Sequence, residues 1–115
     1  LSVRVFLKQN PGLGTDGRSI AIYRGTGRSA YCEAGVEVVR EFPSTTEIIC
    51  TATPAGRAIT ATHWGPLHEL GGTYRAIDAR CRAERHRIAD TSWEIYGDPS
   101  DDPAKRRTDV FRLLR

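Results

Sequence analysis

The pentapeptide Ser19-Ile20-Ala21-Ile22-Tyr23 is matched by Ser92-Trp93-Glu94-Ile95-Tyr96 at three of five positions. An aspartate precedes each, Asp16 in the first case and Asp90 in the second. Each segment reads as a strand that follows a helical run and precedes another strand. A repeated order of elements limits the fold more than any single segment does, because neighbouring copies of one unit must bury their apolar faces together. The pattern predicts two β-α-β-β units, repeat one over 1–42 and repeat two over 47–115, within a single domain. The length of 115 residues is near the common size for one domain.

The second unit is complete: strand Arg57–His63, helix Pro66–Ile88, strand Ser92–Tyr96 and strand Thr108–Leu114. In the helix, Leu67, Leu70, Tyr74, Ile77 and Cys81 recur three and four apart, which places them on one face. Pro66 suits the first turn, and Gly71-Gly72 is a weak point. In the first unit, Leu1–Gln9 is the helix, with Val3, Phe6 and Leu7 as its stripe, and Asn10-Pro11-Gly12 ends it. Ser19–Arg24 and Ala30–Phe42 are its strands. Glu47–Thr53 and Arg57–His63 flank Pro54-Ala55-Gly56 and read as a hairpin. Asp98-Pro99 to Pro103 is a polar loop. The leading strand of the first unit would lie upstream of Leu1, so it is expected to be missing or supplied by a partner.

No run approaches the roughly 20 apolar residues of a membrane-spanning helix. Leu1 to Asn10 is mixed rather than basic-then-apolar, unlike a signal peptide. Cys32, Cys50 and Cys81 are odd in number and widely spaced, which fits reduced thiols in the cytoplasm. The net charge of +3 is concentrated at Arg80, Arg82, Arg85 and Arg87 and at Lys105, Arg106 and Arg107. Asp78, Glu84, Asp101 and Asp102 are interleaved, which weakens the field that phosphate binding needs, so solvated faces are expected. With no helix-turn-helix, this chain is not expected to bind nucleic acid directly.

No phosphate-binding loop, dinucleotide fingerprint or hydrolase motif occurs, and no cofactor is expected. His63 and His68 have no cysteine nearby, so no metal is expected either. Glu94 stands out, because glutamate is depleted in strands and this one sits in an apolar, aromatic segment. Alternation puts Glu94 and Tyr96 on one face and Trp93 and Ile95 on the other. We expect Trp93 and Ile95 to pack against the long helix, with Glu94 and Tyr96 on the opposite, concave side. Ala21 and Tyr23 would take the matching places in repeat one. Such a cleft suits a flat cation, since aromatic faces attract positive charge and a cation compensates a carboxylate in a dry pocket. A solvent-facing residue on a one-sided sheet fits the same pattern. Gly65-Pro66 reads as turn chemistry, with His63 and Trp64 either at a pocket mouth or packed at its rim.

Four segments in order, AGVEVV (Ala34–Val39), PAGRAITATHWGPLHEL (Pro54–Leu70), TYRAI (Thr73–Ile77) and WEIYGDPSDDPAKRRTDV (Trp93–Val110), resemble the GyrI-like small-molecule-binding domain. That domain is also met as the C-terminal effector-binding domain of bacterial multidrug-sensing transcription activators. The resemblance implies an α+β fold of two pseudo-symmetric β-α-β-β repeats, forming an antiparallel sheet or open barrel around a central ligand groove. It implies binding of hydrophobic, aromatic or cationic small molecules, with a glutamate of the penultimate strand as acidic anchor. Glu94 matches that position and Tyr96 a pocket-lining one, and Tyr23 would line the groove from repeat one. Trp64, Phe111 and His63 complete the expected ligand-binding set. Leu67 departs from the family, which often carries tyrosine after Gly-Pro.

The chain is thus expected to act as a stand-alone binder or as the sensor domain of a transcription regulator, with an upstream DNA-binding domain or as a homodimer. The alternative is a hydrolase of strained, cyclopropane-type electrophiles that uses Glu94 on a water. Inhibition of a partner protein such as gyrase is a third role, which no residue singles out.

Overall fold

The computed structural model describes residues 2–14 and 16–115. Helix α1 spans Val3–Gln9 and starts where the Ser2 hydroxyl accepts from the Val5 amide at 3.2 Å. Its end is closed by the Asn10 side chain, which donates to the Phe6 carbonyl at 2.9 Å. Strands β1 (Ser19–Arg24) and β2 (Tyr31–Val36) follow, then β3 (Ala58–Trp64), helix α2 (Leu70–Ala83), β4 (Ile88–Tyr96) and β5 (Arg107–Leu114). The strands form one antiparallel sheet in the order β2-β1-β4-β5-β3. The fold is α+β, as expected.

The repeat is visible in the pairing. Strands β1 and β4 are neighbours at the centre, with Ala21 opposite Glu94 and Ile22 opposite Trp93. In repeat two, β3 pairs with the outer edge of β5. Among the described residues no strand occupies the corresponding place beside β2.

Two expected boundaries are corrected. Helix α2 stops at Ala83 rather than Ile88, because Arg85 turns into the left-handed region at φ 58°. The His86 amide then donates to the Cys81 carbonyl at 2.9 Å and the Arg85 amide to the Arg82 carbonyl at 3.3 Å. This is a Schellman closure with arginine where glycine is usual. Replacing Arg85 by glycine is expected to raise stability by about 0.5–1 kcal/mol, since a side chain in that region costs about 1–2 kcal/mol and glycine's extra freedom when unfolded returns part of it. A rise in urea midpoint would show it; a fall would mean that the arginine side chain contributes more than its backbone strain costs.

The second correction concerns 37–57. The expected strand over Ala30–Phe42 ends at Val36, and Glu47–Thr53 does not pair with β3 as a hairpin. Ile48 is instead buried with Phe6, Leu7 and Leu13, partly covered by Val36, Val38 and Phe42. The Arg24 guanidinium donates to the Ala52 carbonyl at 2.6 Å and fixes the segment's far end. A second cluster, Leu70, Ile77, Cys81 and Val110, seats α2 on β3 and β5.

Candidate functional site

Alternation and cross-strand pairing set the side chains of one sheet face in rows. Ala61, Val110, Glu94, Ala21 and Ala34 form the central row. His63, Thr108 and Tyr96 stand on one side of it, and Ser92, Tyr23 and Cys32 on the other. Helix α2 covers the part of this face over β3 and β5 through Val110. Toward β2 the face is open: Tyr23, Cys32 and Ala34 are exposed, whereas Ala21, opposite Glu94, is buried. Glu94 lies at the boundary between the covered and open parts.

Only 5% of Glu94 is exposed, which would be costly for an unpartnered carboxylate. Two hydroxyls compensate. Tyr74, from α2, donates to Oε2 at 2.5 Å, and Tyr96 donates to Oε1 at 2.6 Å. A carboxylate offers about four lone-pair sites, so each oxygen can still accept from a guest. Burial first, and the Glu94 carboxylate second, push the Tyr74 and Tyr96 hydroxyls well above the ordinary tyrosine range. Tyr23 stands beside Tyr96 and is raised by the same two causes. Both donors therefore keep their protons in alkaline solution.

That retention has a measurable consequence. The unfolded chain releases tyrosine protons near pH 10, while folded Tyr74 and Tyr96 hold theirs. Stability is then complete below about pH 10 and falls as pH rises beyond it, because the folded state binds more protons than the unfolded one. Urea midpoints measured from about pH 8 to pH 11 should decline, and Tyr74→Phe should flatten the decline. An equal decline in the variant would detach the effect from this cluster.

The faces of β4 are reversed relative to expectation. Glu94 and Tyr96, not Trp93 and Ile95, face the long helix. The helix side is the polar-containing one because α2 itself brings a donor, Tyr74, to the carboxylate. Trp93 lies on the far face, stacked with Phe111 at 5.3 Å between centroids and 4° between planes. Phe111 is therefore separated from Glu94 by the sheet. Trp64 is likewise turned from Glu94's face and is 59% exposed, with the Arg107 guanidinium 5.7 Å from its ring. His63 shares Glu94's face but is engaged structurally: Nε2 donates to the Pro66 carbonyl at 3.1 Å, so Nδ1 accepts from the Thr73 hydroxyl at 2.9 Å. These bonds tie the end of β3 to the start of α2 across Gly65, whose φ of 131° makes the turn. Of the expected set, the structure brings Glu94, Tyr96 and Tyr23 together.

Tyr74 was not among the expected site residues, although it stands on the predicted stripe. Its signal was chemical: a tyrosine on a buried helix face needs a partner for its hydroxyl, and a buried glutamate needs donors. Among the described residues, no cluster of metal-ligating side chains occurs. Among the described residues no helix is long and apolar enough to cross a membrane. In the basic runs, Arg80 pairs with Glu84 at 3.2 Å and Arg107 with Asp109 at 3.0 Å.

No protein-family model matches the sequence, and no curated protein matches it significantly. Among solved structures, the crystal structure of the EcmrR C-terminal domain aligns with 96% of this chain and 75% of its own, with a TM-score of 0.79 and 22% identity. The chain has the GyrI-like fold. In this GyrI-like sheet the carboxylate stands beside the pseudo-two-fold axis, directly across from its symmetric counterpart Ala21.

Proposed function

We propose that the chain is a small-molecule-binding domain that holds a flat, cationic aromatic ligand against Glu94 in the open trough over β1. The observation that carries this reading is a 5% exposed carboxylate held by two tyrosine hydroxyls at the edge of an uncovered sheet face. Tyr23, 41% exposed, supplies a ring for stacking, and Ala21 is the small residue directly across from Glu94. A cation here gains the carboxylate's charge together with the aromatic faces. The resemblance to effector-binding domains and the shared fold support the same reading. They extend it to a role as the sensor of a transcription regulator, with DNA contacts made by another domain, or as a stand-alone binder.

Binding is favoured over hydrolysis because His63, the other group suited to acid–base work at this face, has both ring nitrogens occupied. A strained cyclopropane electrophile incubated with the protein should therefore give no ring-opened product beyond the uncatalysed amount; turnover abolished by Glu94→Ala would establish the hydrolase instead.

The trough itself is tested by Ala21→Leu. Cross-strand Cβ atoms lie about 4.5–5.5 Å apart, so the added isobutyl group occupies the space beside the carboxylate. The isobutyl group competes with the ligand for that space, so cationic dye affinity is expected to fall by about tenfold, equivalent to about 1.4 kcal/mol. Unchanged affinity in a folded variant would place the ligand elsewhere.

A further inference from the structure

A sizeable cavity among the described residues is not beside Glu94. It holds about 810 Å³, lies mainly on the opposite face of the sheet and reaches the edge strand β2 at Cys32 and Ala34. Ile20, Ile22, Trp93, Ile95 and Phe111 line it from the sheet, and Ile48 lines it from the 37–57 segment. Pockets for small ligands run from about 300 to 1,000 Å³ and are mostly apolar, and this cavity meets both conditions. Trp93 and Glu94 are consecutive residues, so one strand serves both faces.

Three observations define what the cavity would take. The carboxylates that line it from β2 and its end are already paired, Glu33 with Arg24 and Glu37 with Arg18 at 2.9 Å. A charged guest would enter without a counter-charge, which is costly in an apolar site. The Trp93–Phe111 stack, with its rings within 4° of parallel, presents a flat aromatic surface. The covering segment is tethered, since Arg24 holds Glu33 of the sheet and at the same time the Ala52 carbonyl at 2.6 Å.

We propose that this cavity is a second binding site, separate from the Glu94 trough, for a flat, uncharged, apolar molecule of a few fused or linked rings. The two sites divide ligands by charge: cations on the Glu94 face, neutral molecules beneath the 37–57 segment. Arg24 acts as a positioning residue, because it holds the segment over the sheet without carrying the recognition itself.

The test is a titration of Trp64→Phe protein, in which Trp93 is the remaining tryptophan, with uncharged N-phenyl-1-naphthylamine. Saturable energy transfer from Trp93 to one dye per chain is expected, and it should persist with N-methylquinolinium at saturation. Ile95→Arg, which sets a charge in the cavity wall, should weaken the dye by about tenfold or more. Arg24→Ala, at a partly exposed position, should weaken it by severalfold and serves if Ile95→Arg does not fold. Displacement of the dye by the cation would place both in the Glu94 trough and overturn the second site while leaving the first intact. Absence of transfer up to the dye's solubility limit, or unchanged affinity in folded Ile95→Arg and Arg24→Ala, would also overturn it.

Discussion

Glu94→Gln is expected to lower the affinity for a flat aromatic cation by about 10- to 100-fold while changing that for an uncharged dye little. A hydrogen bond or contact to a charged group is worth about 1.5–3 kcal/mol more than nothing in its place, and each 1.4 kcal/mol is tenfold in affinity. Glutamine keeps the side chain's shape and one carbonyl acceptor for a tyrosine hydroxyl. Its amide nitrogen, though, must face the other tyrosine, which was donating to a carboxylate oxygen. That hydroxyl can turn to accept, so the fold is retained and the charge alone is lost. Calorimetric titration of one cation and one uncharged dye into both proteins reads the effect. An equal loss for both dyes would mean that Glu94 shapes the site rather than charging it.

The largest effect on stability is expected at Ile77. It is 2% exposed in the cluster with Leu70, Cys81 and Val110 that seats α2 on the sheet. Ile77→Ala removes buried methyl groups and leaves a cavity, at a cost of about 2–5 kcal/mol. Alanine's better helix propensity returns only a few tenths of a kcal/mol, so the cavity decides the sign. A domain holds about 5–15 kcal/mol in all, which makes this a large fraction. Because Ile77 lies one turn from Tyr74, loosening α2 also loosens the donor on Glu94, and cation binding should weaken together with the urea midpoint. Loss of stability with full retention of cation affinity would show that Tyr74 is dispensable to the site.

The repeat was the part of the fold that the residues declared most openly. The match of Ser19–Tyr23 with Ser92–Tyr96 anticipated that β1 and β4 hold equivalent places; the structure sets them side by side, with Ala21 across from Glu94. Strand alternation likewise sorted Glu94 and Tyr96 from Trp93 and Ile95. What alternation does not contain is which face meets the helix. Apolar Trp93 and Ile95 suggested the helix side, yet the helix carries Tyr74, and a hydroxyl there turns the polar face inward. The end of α2 is not legible in the sequence, because Arg85 takes a left-handed conformation that arginine does not advertise. The 47–53 segment has the composition of a strand, but Ile48 gains more by joining Phe6 and Leu7 than by extending the sheet beyond β3. Phe111 and Trp64 were placed by residue type, and only the register shows that the sheet stands between them and Glu94.

The central claim is that a cation binds at the carboxylate held by Tyr74 and Tyr96. Its most direct measurement follows the Glu94 side-chain carboxyl carbon and the Tyr74 and Tyr96 ring signals by NMR while N-methylquinolinium is added. The account predicts saturable shifts at all three residues with one common dissociation constant. Binding that leaves those signals in place, with shifts confined to other residues, would contradict it.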